Sequence, residues 1–127
     1  MHTPRIARLL LSVAPLVIWD LGLGAAANAM AAIQCHEAEA AKGPVRPLRV
    51  ISFESDLDSL RLAMTHKNRF EYLRHSGPDA LLARGAWKSR QFAGLEWELH
   101  VGDFWMKATE ASARPDLVFF DFFSHKT

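Results

Sequence analysis

The residues best suited to chemistry are four acids and a pair of glycines. The run Asp20-Leu21-Gly22-Leu23-Gly24-Ala25-Ala26-Ala27 follows the short apolar segment Pro15 to Trp19 and precedes a long alanine-rich stretch. Glycines between a strand and a helix let the backbone turn tightly and let a ligand come close, with Ala27 at the site where the helix packs on the sheet. A plain strand-to-helix turn would use the same residues. Their place directly after a buried strand and before a helix favours a nucleotide-type cofactor.

The acids narrow the choice of cofactor. Asp20 stands just before the glycines, where dinucleotide folds keep an apolar residue because the pyrophosphate they bind is anionic. A carboxylate there suits the cationic amino group of a methionine moiety and favours S-adenosylmethionine (SAM) over NAD. Glu54 ends the second predicted strand, where a carboxylate can hold ribose hydroxyls. Asp103 follows Gly102 at the end of the third and can accept a hydrogen bond from an adenine amino group. Each acid alone also reads as a cap or a loop charge, but three at the carboxyl ends of neighbouring strands fall where open α/β sheets bind ligands. Asp121 interrupts the apolar run VFFDFF, where burying a carboxylate is costly without a partner. It reads either as a cap for the next loop or as a functional group at the tip of the fourth strand.

Elements to carry these residues are legible in the pattern. Pro15 to Trp19 is a continuous apolar run that suits a strand buried on both faces. The run from Ala25 to Lys42 is helical by alanine content and stops at Gly43-Pro44. Leu48 to Phe53 is β-branched and aromatic, a second strand, and Asp56 can cap a helix carrying Leu57, Leu60 and Met64. Pro78 and Gly85 bracket a further short helix. Leu95, Trp97, Leu99 and Val101 alternate with Glu96, Glu98 and His100, as in a strand near a sheet edge with one wet face. Asp116 to Phe123 reads as a fourth, buried strand. The expected fold is α/β, a Rossmann-like sheet of parallel strands in the order 3-2-1-4. The chain stops soon after the fourth strand, before the later strands of a doubly wound sheet, so the expected layout is a lead-in over 1–14 and a cofactor-binding half-domain, its C-terminal part missing, over 15–127.

The composition limits the alternatives. The chain has 127 residues, half of them apolar, and a formal charge of +1, which suits one globular domain and exerts no global pull on nucleic acid or membranes. Arg84, Lys88 and Arg90 form a small basic group, read as a solvated loop. Cys35 has no disulfide companion and is expected as a reduced, buried thiol on a small-residue helix, consistent with a cytoplasmic location. Arg5 and Arg8 before LLLSVAPLVIW, with AAANAMAA beyond, imitate a secretory signal. Asp20 and Pro15 break that pattern, and no membrane span is expected. The histidines show no metal-ligand spacing, so no metal is expected. Neither a nucleophile elbow nor a P-loop occurs. Trp87, Trp97 and Trp105 are read as packing residues.

Taken together, IWDLGLGAAANAM, VISFESDLDSLRLA, GDF and DLVFFDFFSHKT resemble the SAM-dependent methyltransferase domain of the bacterial bifunctional protein MnmC, which matures 5-methylaminomethyl-2-thiouridine at the tRNA wobble position, and its stand-alone relatives. The resemblance implies a class I methyltransferase fold over Pro15 to Thr127. It implies cofactor contacts from Asp20, Gly22, Gly24, Asn28, Glu54 and Asp103, with Asp121 facing the methyl acceptor, an amine on tRNA. Two departures stand out. Ala26 occupies a site where the bifunctional proteins often carry glycine, and Phe122-Phe123-Ser124 replaces their Gly-Phe-Ala-Pro loop. The rival readings are a nicotinamide-dependent oxidoreductase and a non-catalytic cofactor-binding fragment.

Overall fold

A computed structural model describes residues 13–120. At its centre β1 (Leu16–Leu21) lies parallel to β2 (Leu48–Glu54), and the register pairs Asp20 with Ser52. The apolar run before the glycines is therefore a strand, and AAANAMAA enters the helix α1 (Ala27–Lys42), where a secretory signal would have needed a cleavage site. Helix α2 (Asp58–Thr65) follows β2, and α3 (Ser76–Arg84) ends on Gly85, whose φ of 73° is the left-handed closure expected of a helix-terminating glycine. After α3 come β3 (Ala86–Lys88), β4 (Leu95–Val101), the short helix α4 (Phe104–Lys107) and β5 (Leu117–Phe120).

The sheet runs β3-β4-β2-β1-β5, with every pair parallel except β3 on β4. Its four parallel strands keep the expected order 3-2-1-4. The antiparallel strand β3 is an addition, too short at AWK to leave a periodic trace. It makes β4 the second strand, which lies near the edge as expected.

The alternating pattern of β4 held on one face only in part. Leu95 and Trp97 are fully buried and Leu99 half-buried, whereas Val101 is 42% exposed at the strand tip. Glu96, Glu98 and His100, expected to be wet, are half-buried. The segment after α4 folds back on that side, where the Ser112 amide and hydroxyl donate to Glu98. Within its described part β5 is not the buried strand expected. It is the sheet's edge among the described residues, and Leu117, Val118 and Phe120 are exposed.

The main core lies between the sheet and the helices α1, α2 and α3. Ile18, Val50, Leu95 and Trp97 meet Met30, Ile33, Leu60 and Leu81 there. On α1 the buried residues are Ala29, Met30 and Ile33, one stripe at three- and four-residue spacing. Cys35 falls two positions past Ile33 on another face and is exposed, contrary to the expected buried thiol. The opposite face carries a smaller aromatic cluster of Trp19, Phe53 and Phe104 around Val17 and Ile51. Trp87 and Trp97 are packing residues as read, but Trp105 is 80% exposed on α4.

Candidate functional site

The glycine turn sits at the carboxyl end of β1. Gly22 and Gly24 have φ of 89° and 54°, a region that side chains disfavour. Ala26 shares that left-handed geometry at φ 71° and is fully buried. This gives a physical reason for glycine to be favoured at that position. It is Ala26 that packs beneath the helix start, while Ala27, expected in that role, is exposed.

Two side chains, Glu54 and Tyr72, brace the turn, and a buried carboxylate lies on the strand that leads into it. The Gly24 amide donates to Glu54 Oε1 at 2.8 Å, and the Ser55 amide donates to the other oxygen at 2.9 Å. The carboxylate at the tip of β2 thus reaches across to the tip of β1. Tyr72 donates its hydroxyl to the Ala25 carbonyl at 2.9 Å, and burial pushes its pKa above the ordinary 10.0. Asp20 is 1% exposed on the helix-covered face, its Oδ2 accepting from the Ser52 hydroxyl at 2.8 Å. Ser52 in turn accepts from the Trp97 indole at 2.9 Å, so a buried relay runs from β4 through β2 to β1.

Asp103 joins this group through the backbone. Gly102 donates its amide to the Glu54 carbonyl at 2.9 Å, which holds the exposed Asp103 beside the tip of β2 at the start of α4. Asp20, Glu54 and Asp103 therefore occupy the carboxyl ends of three neighbouring strands. Asn28 is exposed in the first turn of α1, where it borders an apolar groove of about 580 Å³ shared with Ala31, Ala32 and β5 residues Val118 to Phe120. Asp121 lies outside the described residues. Asp56 acts near its expected role, accepting from the Asp58 amide at 3.0 Å although Leu57 holds the capping position.

Sequence reading missed Tyr72 as a support of the turn, and Ser52 and Trp97 as the partners that hold Asp20. Ser52 was the findable one, a polar residue within the apolar run LRVISF; Tyr72 sits in a 3-10 turn that carries no periodic signal. Among the described residues, no group of three histidines, cysteines or acids could hold a metal ion, and no helix is long and apolar enough to cross a membrane.

The crystal structure of MnmC2 from Aquifex aeolicus superimposes on the chain with a TM-score of 0.55. The fold is Rossmann-like. The match covers 94% of this chain at 21% identity, and at that identity the likeness speaks for the fold alone. It covers 36% of the MnmC2 chain, so this chain spans about a third of the length of its structural neighbour. No protein-family model and no curated sequence matches the chain.

Proposed function

We propose that the chain binds SAM at the carboxyl ends of β1, β2 and β4 and serves methyl transfer to an amine, the aminomethyl group of a tRNA wobble uridine. The observation that carries this reading is the glycine turn braced by Glu54, with Asp20 beneath it and Asp103 alongside. The residues fit the group. Glu54 already accepts from two amides, and its remaining lone pairs suit ribose hydroxyls, while glycine at 22 and 24 puts no side chain between the backbone and a ligand. When bound, SAM supplies a methyl group made electrophilic by the sulfonium. The protein's part is to orient the two reactants in line and to favour the neutral amine. Asp121 is the group assigned to the second task, accepting the proton that the attacking amine loses. MnmC2 as the structural neighbour supports the methyltransferase reading.

Titration calorimetry with SAM, S-adenosylhomocysteine and NAD tests the cofactor. Both SAM-type ligands should bind and NAD should not, and Gly24→Val should abolish binding because a β-branched residue resists φ 54°. NAD binding in place of SAM would move the chain to the oxidoreductases. In a methylation assay on tRNA bearing the aminomethyl uridine, Asp121→Asn should slow transfer about a hundredfold or more while leaving SAM affinity within a few fold. An unchanged rate would remove Asp121 from the mechanism.

A further inference from the structure

A cavity of about 730 Å³ opens away from the glycine turn. Its floor is β3, whose Lys88 pairs with Glu96 near the start of β4, so it lies toward the amino-terminal end of the parallel strands. The candidate cofactor residues all lie at the other end. The volume is in the range of sites that enclose small organic ligands.

Three cations from three different segments line it. Arg84 closes α3, Lys88 ends β3, and Arg90 stands in the loop between β3 and β4. That loop is itself braced, since the Phe92 amide donates to the Ser89 hydroxyl at 2.9 Å and the Ser89 amide to the Leu95 carbonyl at 2.9 Å. The basic group that sequence alone reads as a solvated loop is exposed as expected, but Arg84 stands on a helix and Lys88 on a strand, and all three line the cavity. Nearby acid is insufficient to neutralise it. Glu96 is shared between Lys88 at 3.7 Å and Arg49 at 3.3 Å, and among the described residues Arg84 and Arg90 have no acidic partner.

The rest of the lining carries a set of hydrogen-bonded polar groups. His75 Nδ1 accepts from the Gly77 amide at 2.9 Å, which leaves the ring proton on Nε2 to be donated to Glu37 Oε2 at 2.9 Å. The ring also meets Trp87 edge-on at 4.9 Å, and the Trp87 indole donates to the Ser76 hydroxyl at 3.0 Å. Glu37 is therefore held with one carboxylate oxygen committed to His75 and the other available to a ligand donor.

We propose that this cavity binds a phosphorylated small molecule of mononucleotide size, with its phosphate on Arg84 and Arg90 and its hydroxyl or amino donors toward Glu37. Arginine suits the first role because its planar fork matches phosphate oxygens two at a time. The assignment is independent of the SAM reading and concerns a separate place in the fold.

Cytidine 5′-monophosphate is the probe, chosen because it lacks adenine and does not imitate SAM, with cytidine and S-adenosylhomocysteine as controls in calorimetry. The monophosphate should bind and cytidine should not at the same concentration. Arg84→Ala and Arg90→Ala should each weaken it about tenfold or more, as expected for a lost charge-assisted hydrogen bond. Both side chains are exposed, so the variants should melt like the parent while S-adenosylhomocysteine binding stays unchanged. Full affinity in the double variant, equal binding of cytidine, or displacement of the monophosphate by S-adenosylhomocysteine would overturn the assignment. So would a single-stranded RNA that binds through these arginines where the monophosphate does not, since that would make the surface a phosphodiester track.

Discussion

The two faces of the sheet are built differently. The helix-covered face is continuous, with Met30, Ile33, Leu60, Leu73 and Trp97 all fully buried, and it also holds Asp20 and Ser52. The other face relies on an aromatic patch, Trp19 at 4.9 Å from Phe53 and Phe104 at 5.1 Å from Phe53, covered by one short helix and a loop. Stability and the candidate site are therefore coupled on the first face. On the second, the cover is α4, which begins directly after Asp103, so of the candidate acids it is Asp103 that depends on this face.

The largest expected effect falls on the helix face. Ile33→Ala should cost about 3 kcal/mol, because a fully buried branched side chain is removed from a packed interface. Phe104→Ala should cost about half as much, since Phe104 is only half-buried. Urea unfolding of both variants checks the order, and equal losses would break the contrast between the faces.

Acid offers a gentler probe of the aromatic face. Burial raises the pKa of Glu98, but hydrogen bonds from Ser112 and His100 outweigh it and hold the carboxylate below its ordinary value of 4.5. A depressed carboxylate contributes stability that is fully present above about 4.5 and is lost as the pH falls through the lower folded value. Thermal melts from pH 6 down to 3 should therefore show a steeper loss for the parent than for Glu98→Gln. Parallel curves would remove this carboxylate from the stability of that face.

The smallest effect is expected at Ala26. Replacing it with glycine relieves about 1 kcal/mol of left-handed strain but removes a buried methyl worth about 0.8 kcal/mol. The change in stability should stay under about 1 kcal/mol, read from the same urea curves. A large loss would mean that the methyl contact matters more than the turn geometry.

The pattern of the chain carried the parallel strands and the glycine turn because their signals are local and periodic. An apolar run ended by Gly-x-Gly, a β-branched strand and a helix stopped by glycine each follow from neighbouring residues. What stayed hidden depends on contacts between distant segments. Glu54 shows its acid in the sequence but not that its carboxylate reaches the Gly24 amide. The wet face expected of β4 is half-covered because Ser112 folds back onto Glu98. Cys35 was misplaced because a helix rich in small residues gives little contrast between faces, and the buried stripe follows Met30 and Ile33. Arg84, Lys88 and Arg90 show in the sequence as a local basic group, but nothing local says that they line a cavity.

The link from Trp97 through Ser52 to Asp20 also gives the candidate site an optical signature. An indole sealed from water emits at shorter wavelength than the exposed Trp105, and iodide in the buffer quenches the exposed ring first. With Trp105 silenced in this way, a blue-edge signal remains to which Trp97 contributes, two hydrogen bonds from Asp20. A change in the charge or position of that carboxylate should then shift the Trp97 share of this emission, and a Ser52→Ala variant, which cuts the link, should lose the shift.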